Sequence, residues 1–188
     1  MTFGVLSWSL LLAVALALAL GGDFKRLGSI RIHAWWVLAL APTVKIALLA
    51  THTPQSWWAQ PLIFLLVAVG AVANWRLPGV PAIALGLLLN ASVVAANHGL
   101  MPYTVAAQPD GVSGETNALS KPQDASTPLA VLDDRIPFPP THQVLSFGDI
   151  AIMAGGIWLV LGLTEPKRLA LFRQRKKPLV SSEARPGA

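Results

Sequence analysis

The sequence predicts an all-α integral membrane protein: a bundle of five transmembrane helices, N-terminus outside and C-terminus inside, with a long, partly irregular outer loop. Three observations predict it. Of 188 residues, 54% are hydrophobic and only 12% charged, whereas soluble domains carry about 25% charged residues. The apolar residues fall in five runs near the length needed to cross a hydrocarbon core about 30 Å thick, roughly 20 residues at about 1.5 Å each. The basic residues are unevenly shared among the segments between those runs. Mean hydropathy is +0.57. There is no cysteine, which excludes disulfides, thiolate metal sites and cysteine nucleophiles.

The first run, residues 3–20, is preceded only by Met1 and Thr2, and Lys25, Arg26 and Arg31 follow it. A cleavable signal peptide has its cations before the apolar run, so this run is expected to stay in place as a helix with its C-terminal end in the cytoplasm. The others are residues 34–50, 57–74, 80–97 and 147–163. Alanine and leucine dominate them, and none shows the alternation of a barrel wall. With this direction the cytoplasmic segments hold Lys25, Arg26, Arg31, Arg76 and the tail cations Lys167, Arg168, Arg173, Arg175, Lys176, Lys177 and Arg185. The outer segments hold only Lys121 and Arg135. Trp35, Trp36, Trp57, Trp58 and Trp75 stand at helix ends, where indoles favour the headgroup layer. Trp8 and Trp158 lie deeper and are expected to pack inside the bundle. A single membrane domain of residues 1–165, with an outer loop at 98–145, thus precedes a basic cytoplasmic tail at 166–188.

Several motifs occur in a recognisable order. They are Gly21-Gly22 before a basic loop, Ile32-His33-Ala34-Trp35-Trp36, Arg76-Leu77-Pro78-Gly79 and Gly86-Leu87-Leu88-Leu89-Asn90. Asn97-His98-Gly99-Leu100-Met101-Pro102, Leu132-Asp133-Asp134-Arg135-Ile136-Pro137 and Ser146-Phe147-Gly148-Asp149 follow. Together these resemble the bacterial membrane proteins grouped as domain of unknown function 5317, over nearly the whole chain up to about Gly162. The resemblance implies a small polytopic protein of the bacterial plasma membrane and implies no activity. Asp133, where the family carries glycine, and Lys45, where a neutral residue is usual, depart from that pattern.

Ser146 and Asp149 have the spacing of a capping box at the start of the fifth helix, and Asp149 suits the positive end of its dipole. On the fourth helix Gly86, Asn90 and Asn97 share one face. Gly148, Gly155 and Gly162 recur every seven residues on the fifth. Small faces of this kind are expected to bring helix backbones into close contact. Replacing Leu159 is expected to matter less than replacing Gly155 if Leu159 faces lipid. Asn74, Asn90 and Asn97 are polar groups in or near the bilayer, and Lys45 is the one charge well inside a span. Lys45 is expected to bond Asp149 or Asn90, or else to reach the headgroups. Asn97, Asp134, His142 and Asp149 are the candidate polar cluster at the outer face. No metal site, cofactor or catalytic set is expected: the histidines lack ligand spacing, and no nucleophile elbow or phosphate loop is present.

Thr164-Glu165-Pro166 has the composition of a helix start. The cations Lys167, Arg168, Arg173, Arg175, Lys176 and Lys177, interleaved with Leu169, Leu171 and Phe172, suit contact with anionic lipid on the inner leaflet. Residues 111–128 read as a flexible surface excursion. The favoured function is a non-enzymatic accessory or scaffolding membrane component packing against other membrane proteins. A small membrane enzyme or transporter working at the outer-face cluster is one alternative, and a lipid-binding protein is another. Membrane lipids and other membrane proteins are the expected partners, and nucleic acid is not.

Overall fold

The computed structural model describes residues 3–50, 58–104, 120–139 and 143–166. The chain is mostly helical. Five α-helices occupy the five predicted apolar runs: α1 (Phe3–Ala19), α2 (Trp35–Ala50), α3 (Ala59–Ala73), α4 (Val80–Ala96) and α5 (Phe147–Thr164). Neighbours in space run α2, α3, α4, α5, α1. The end where α4 finishes and α5 begins carries the long loop and is called the loop end. At the opposite, tail end, the Asp23 N–H donates to the Thr164 carbonyl at 2.8 Å. This bond ties the exit of α1 to the exit of α5. A 3₁₀ turn at Phe24–Ser29 follows and packs beside α5.

Among the described residues α5, with 18 residues and mean hydropathy 1.7, is the helix long and apolar enough to cross a bilayer by length and composition. The other four are apolar and shorter, with 17, 16, 15 and 17 residues in chain order.

The buried residues of the helices include Ala13, Ala17, Ala41, Ala68, Ala71 and Ala84, the larger Val37, Val80, Leu87, Val93, Val94 and Ile152, and the polar Asn74, Asn90, Asn97 and Asp149. Large apolar residues point outward, among them Leu11, Leu18, Ile46, Val69, Leu85 and Trp158. Trp8 and Trp158 are 52% and 60% exposed, contrary to the expectation that they pack inside. Helices that are apolar on every side give no sequence signal for which face turns inward. Leu159 packs against the buried cluster of Ala68, Ala71, Val80, Ala84, Leu87 and Ile152.

Close approach of α4 and α5 explains their glycines. An added Cβ at Gly155 would lie 2.7 Å from the Gly79 carbonyl oxygen and 2.9 Å from the Ile83 nitrogen. One at Gly86 would lie 2.7 Å from Ile152 Cγ1. Gly79, which precedes α4, has φ +78°, and a side chain there would also meet the Gly155 carbonyl. Gly162 faces Pro78 and Gly148 faces Asn90. The two helices therefore run antiparallel with their backbones nearly in contact, where any side chain would separate them.

Two short strand pairs form the loop end. Strand β1 (Met101–Tyr103) pairs in parallel with β2 (Ser120–Pro122), and β3 (Ile136–Phe138) pairs antiparallel with β4 (Gln143–Leu145). Residues 120–128 are thus ordered, unlike the expected flexible excursion. The Asp124 carboxylate accepts from the Ser126 N–H and hydroxyl, and Asn97 Nδ2 donates to the Pro128 carbonyl at 3.0 Å. Residues 105–119 lie outside the described residues. At the tail end, Thr164 closes α5, and the helix expected after Pro166 lies outside the described residues. The Thr164 hydroxyl donates to the Val160 carbonyl, and Glu165 adopts a left-handed cap at φ 38°.

Candidate functional site

The polar residues of the loop end are arranged around the first turn of α5. Ser146 caps that turn: its hydroxyl accepts from the Asp149 N–H at 3.1 Å, and the Ser146 N–H donates to Asp149 Oδ2 at 3.1 Å. The capping box is therefore complete. Asn90 reaches it from α4. Its Nδ2 donates to Asp149 Oδ1 at 2.9 Å, and its Oδ1 accepts from the Ser146 hydroxyl at 3.0 Å. All three side chains are buried, at 3% for Asn90, 0% for Ser146 and 4% for Asp149. Gly148 leaves room for this contact, since a Cβ there would run into the Asn90 carboxamide. A buried carboxylate is tolerated only when its oxygens are paired, and both oxygens of Asp149 are.

A second knot lies in the loop. Asp133, 0% exposed, accepts from Arg135 Nε at 2.6 Å and from the Thr104 hydroxyl at 2.8 Å. Arg135 also donates to the Ala130 carbonyl. Both charges are thereby held within one loop segment.

Asp134 sits between these knots. Its N–H donates to the Pro102 carbonyl and its own carbonyl accepts from Thr104, both at 2.9 Å. The Arg135 N–H donates to the Leu145 carbonyl at 3.1 Å, so the backbone at Asp134 runs beside the entry to α5. Its Oδ1 is buried and has no hydrogen-bond partner among the described residues. Burial pushes the Asp134 carboxyl up to about 8, and the nearby Asp149 and Asp133 carboxylates push in the same direction. Asp134 thus holds its proton more tightly than an ordinary carboxyl does.

Asn97 ends α4 and is 1% exposed. Its Nδ2 donates to the Val93 carbonyl at 2.9 Å as well as to Pro128, while its Oδ1 has no partner among the described residues. No hydrogen bond joins Asn97, Asp134 and Asp149 to one another. Among the described residues, no group of three or more histidine or acidic side chains is placed to hold a metal ion.

The model described as "Family of unknown function (DUF5317)" matches residues 29–161. The chain belongs to that family. The match begins at the end of the 3₁₀ turn and stops within the last turn of α5, so α1 and the Gly21-Gly22 motif lie outside the DUF5317 region. No curated protein and no solved structure matches the chain.

Within the DUF5317 region, the Asn90–Asp149 bond is the connection that sequence reasoning missed. Asn90 Nδ2 and Oδ1 are both engaged with α5 and its cap. The expected reach of Lys45 to Asp149, to Asn90 or to the headgroups falls on a side chain outside the described residues. The available signal was the pairing of two small faces, Gly86 with Gly148, which brings Asn90 to Asp149 on antiparallel helices. Arg135 and Thr104 were not singled out either, although Asp-x-Arg spacing in a tight turn suits a local ion pair. His142, the Lys45 side chain and the tail cations Lys167, Arg168, Arg173, Arg175, Lys176 and Lys177 lie outside the described residues.

Proposed function

We propose that this protein is a five-span protein of the bacterial plasma membrane, with its loop end outside, that serves as a non-enzymatic accessory or scaffolding component packed against other membrane proteins. The observation that carries the reading is the number of large apolar side chains on the helix surfaces. Leu11, Leu18, Ile46, Val69, Leu85 and Trp158 are exposed, while Asn74, Asn90, Asn97 and Asp149 are buried among alanines and a few larger apolar residues. Water-soluble monomers rarely expose contiguous apolar patches above a few hundred Å², so this many exposed large apolar side chains call for a cover. In lipid, small faces supply the helix contacts and leucines face the chains. Helices of this length rise about 22–27 Å. That is slightly short of the hydrocarbon thickness, a mismatch that local thinning and interfacial tryptophans absorb at modest cost. Trp35, Trp36, Trp58 and Trp75, all exposed near helix ends, suit that role. The tail cations suit anionic lipid on the inner leaflet.

The accessory role draws on how fully the loop-end polar groups engage one another. Asp149, Asn90, Ser146, Asp133 and Arg135 are bonded within the chain. A second reading, a small enzyme or carrier acting at the loop end, draws on the unpartnered oxygens of Asp134 and Asn97.

Because the chain has no cysteine, single-cysteine labelling reads its direction without background. A cysteine at Ser113 is expected to react with an impermeant thiol reagent applied to intact cells, and one at Ser181 only after permeabilisation. The reverse pattern would overturn the topology. For the accessory role, extraction in mild detergent followed by mass measurement should give an assembly containing a second membrane protein in fixed ratio. A chain that runs alone at native abundance would reject that role.

A further inference from the structure

At the tail end a cleft of about 180 Å³ opens between the entry to α2 and the exit of α3, lined by Arg31, His33, Asn74, Trp75, Arg76 and Leu77. Its walls are held by Asn74, which is buried. The Asn74 Oδ1 accepts from the His33 N–H at 2.8 Å, and its Nδ2 donates to the His33 and Gly70 carbonyls, each at 2.8 Å. One carboxamide thus clamps two chain segments 41 residues apart. It fixes the spacing of the two arginines that flank them.

Those arginines have no carboxylate partner among the described residues; the ion pairs there are Arg26–Glu165 and Arg135–Asp133. The Arg76 guanidinium lies 5.5 Å from the Trp75 ring centroid, a cation–π contact that restricts where the fork points. Among the described residues the other acid at this end, Asp23, is engaged with the Lys25 N–H. α2 starts and α3 stops at the cleft, so their dipole ends offset each other. The arginines therefore set its sign. Arg31 and Arg76 both line this cleft, and guanidinium forks suit the multiply accepting oxygens of a phosphate.

We propose that this cleft binds a phosphate anion, supplied by the headgroup of an anionic phospholipid. The lipid as source rests on the membrane reading above, because that reading puts the tail end at the inner leaflet; the phosphate chemistry of the cleft does not depend on it. Trp75 beside the cleft, with Trp35 and Trp36 just beyond His33, gives the aromatic border that a headgroup site at an interface would have.

The test uses the full chain in a nonionic detergent, with two probes. One is phosphatidylglycerol added to the micelles, with phosphatidylcholine as the neutral control; the other is glycerol 3-phosphate in solution. Lipid retention is read by native mass spectrometry and soluble-anion binding by calorimetry. Saturable retention of phosphatidylglycerol, weakened at least tenfold in Arg31→Ala/Arg76→Ala, is the expected result. Retention should change little in a tail variant such as Arg173→Ala/Lys176→Ala. Equal retention by the arginine variant, with loss in the tail variant, would overturn the cleft and assign lipid contact to the tail. Binding of glycerol 3-phosphate that is lost in the arginine variant would keep the phosphate site and move its source to solution. Absence of binding by either probe would overturn the proposal. Recovery of the chain without detergent would instead reject the membrane reading, while the glycerol 3-phosphate arm still tests the cleft. Should the alanine pair lower thermal stability, Arg31→Lys/Arg76→Lys is read in its place. That pair keeps both charges and loses the forks, so weaker retention of phosphatidylglycerol is expected.

Discussion

Gly155→Ala is expected to destabilise the bundle sharply, whereas Gly156→Ala, one position along the same helix, is expected to leave it unchanged or slightly more stable. The two glycines share a helix and a composition but not a surrounding. A Cβ at Gly155 would lie 2.7 Å from the Gly79 carbonyl oxygen, 2.8 Å from Ile83 Cγ1 and 2.9 Å from the Ile83 nitrogen, while one at Gly156 would meet nothing within 4 Å. Two of those three atoms are backbone and cannot move without shifting α4 as a whole. Overpacking of this kind costs about 1–3 kcal/mol, or more where backbone must yield. Replacing glycine by alanine in a helix returns about 1 kcal/mol through propensity alone. The net loss at Gly155 should lower the detergent melting temperature by roughly 5 °C. Gly155→Leu should abolish the folded species, and Trp158→Leu, at an exposed position, should not. Melting curves by light scattering or tryptophan fluorescence measure all four. A Gly155→Ala protein as stable as its Gly156→Ala neighbour would mean that α4 and α5 are not in backbone contact.

That glycine face was legible in the sequence because a seven-residue recurrence of Gly148, Gly155 and Gly162 survives any uncertainty about helix ends. The same holds for the capping box, which needs only Ser146 and Asp149 at the right spacing. What the sequence hid has physical causes. Strands of three residues that include Pro102, Pro122 and Pro137 are too short to show a period of two, and proline lowers strand expectation further. The parallel pairing of β1 with β2 joins segments 19 residues apart, a contact no local pattern encodes. Trp8 and Trp158 were assigned to the interior from their depth along the helix. Depth says nothing about direction when every side is apolar. Thr164-Glu165-Pro166 carries the residue types of a helix start, and Thr164 is also the last residue of α5. Glu165 then turns aside to meet Arg26 at 2.5 Å. Within the candidate site, the individual polar residues were visible and their pairing was not, because Asn90 and Asp149 meet only once two distant helices are in register.

The two aspartates flanking the start of α5 are expected to respond to neutralisation with opposite signs. Asp149→Asn should destabilise the protein at every pH between 5 and 9. Its two carboxylate oxygens face two donors, Asn90 Nδ2 at 2.9 Å and the Ser146 N–H at 3.1 Å. A carboxamide has one acceptor for those two and turns an NH2 toward the other. Losing hydrogen bonds to a buried charged group and leaving a donor unpaired costs about 2–4 kcal/mol. Asp134→Asn removes no hydrogen bond made by Oδ1. It removes the need to hold a proton, since burial first, and the Asp149 carboxylate second, push this acid from its ordinary 3.8 up to about 8. Below pH 4 the Asp134 carboxyl is protonated both folded and unfolded, so it opposes nothing. Between about 4 and 8 the folded chain binds a proton that the unfolded chain releases, and stability falls as pH rises, by at most about 1.4 kcal/mol per pH unit. The side chain is only partly buried, so solvent screening makes the measured slope smaller than that bound. Above pH 8 both states are ionised, and the loss is complete. Asp134→Asn should therefore flatten the decline from pH 5 to pH 8 and raise the melting temperature at pH 8 above that of the parent. A pH scan of thermal stability for the parent and both variants reads the two signs together. If Asp134→Asn instead lowers stability at pH 8 while Asp149→Asn is neutral, the ionised and paired roles belong to the opposite members of the pair.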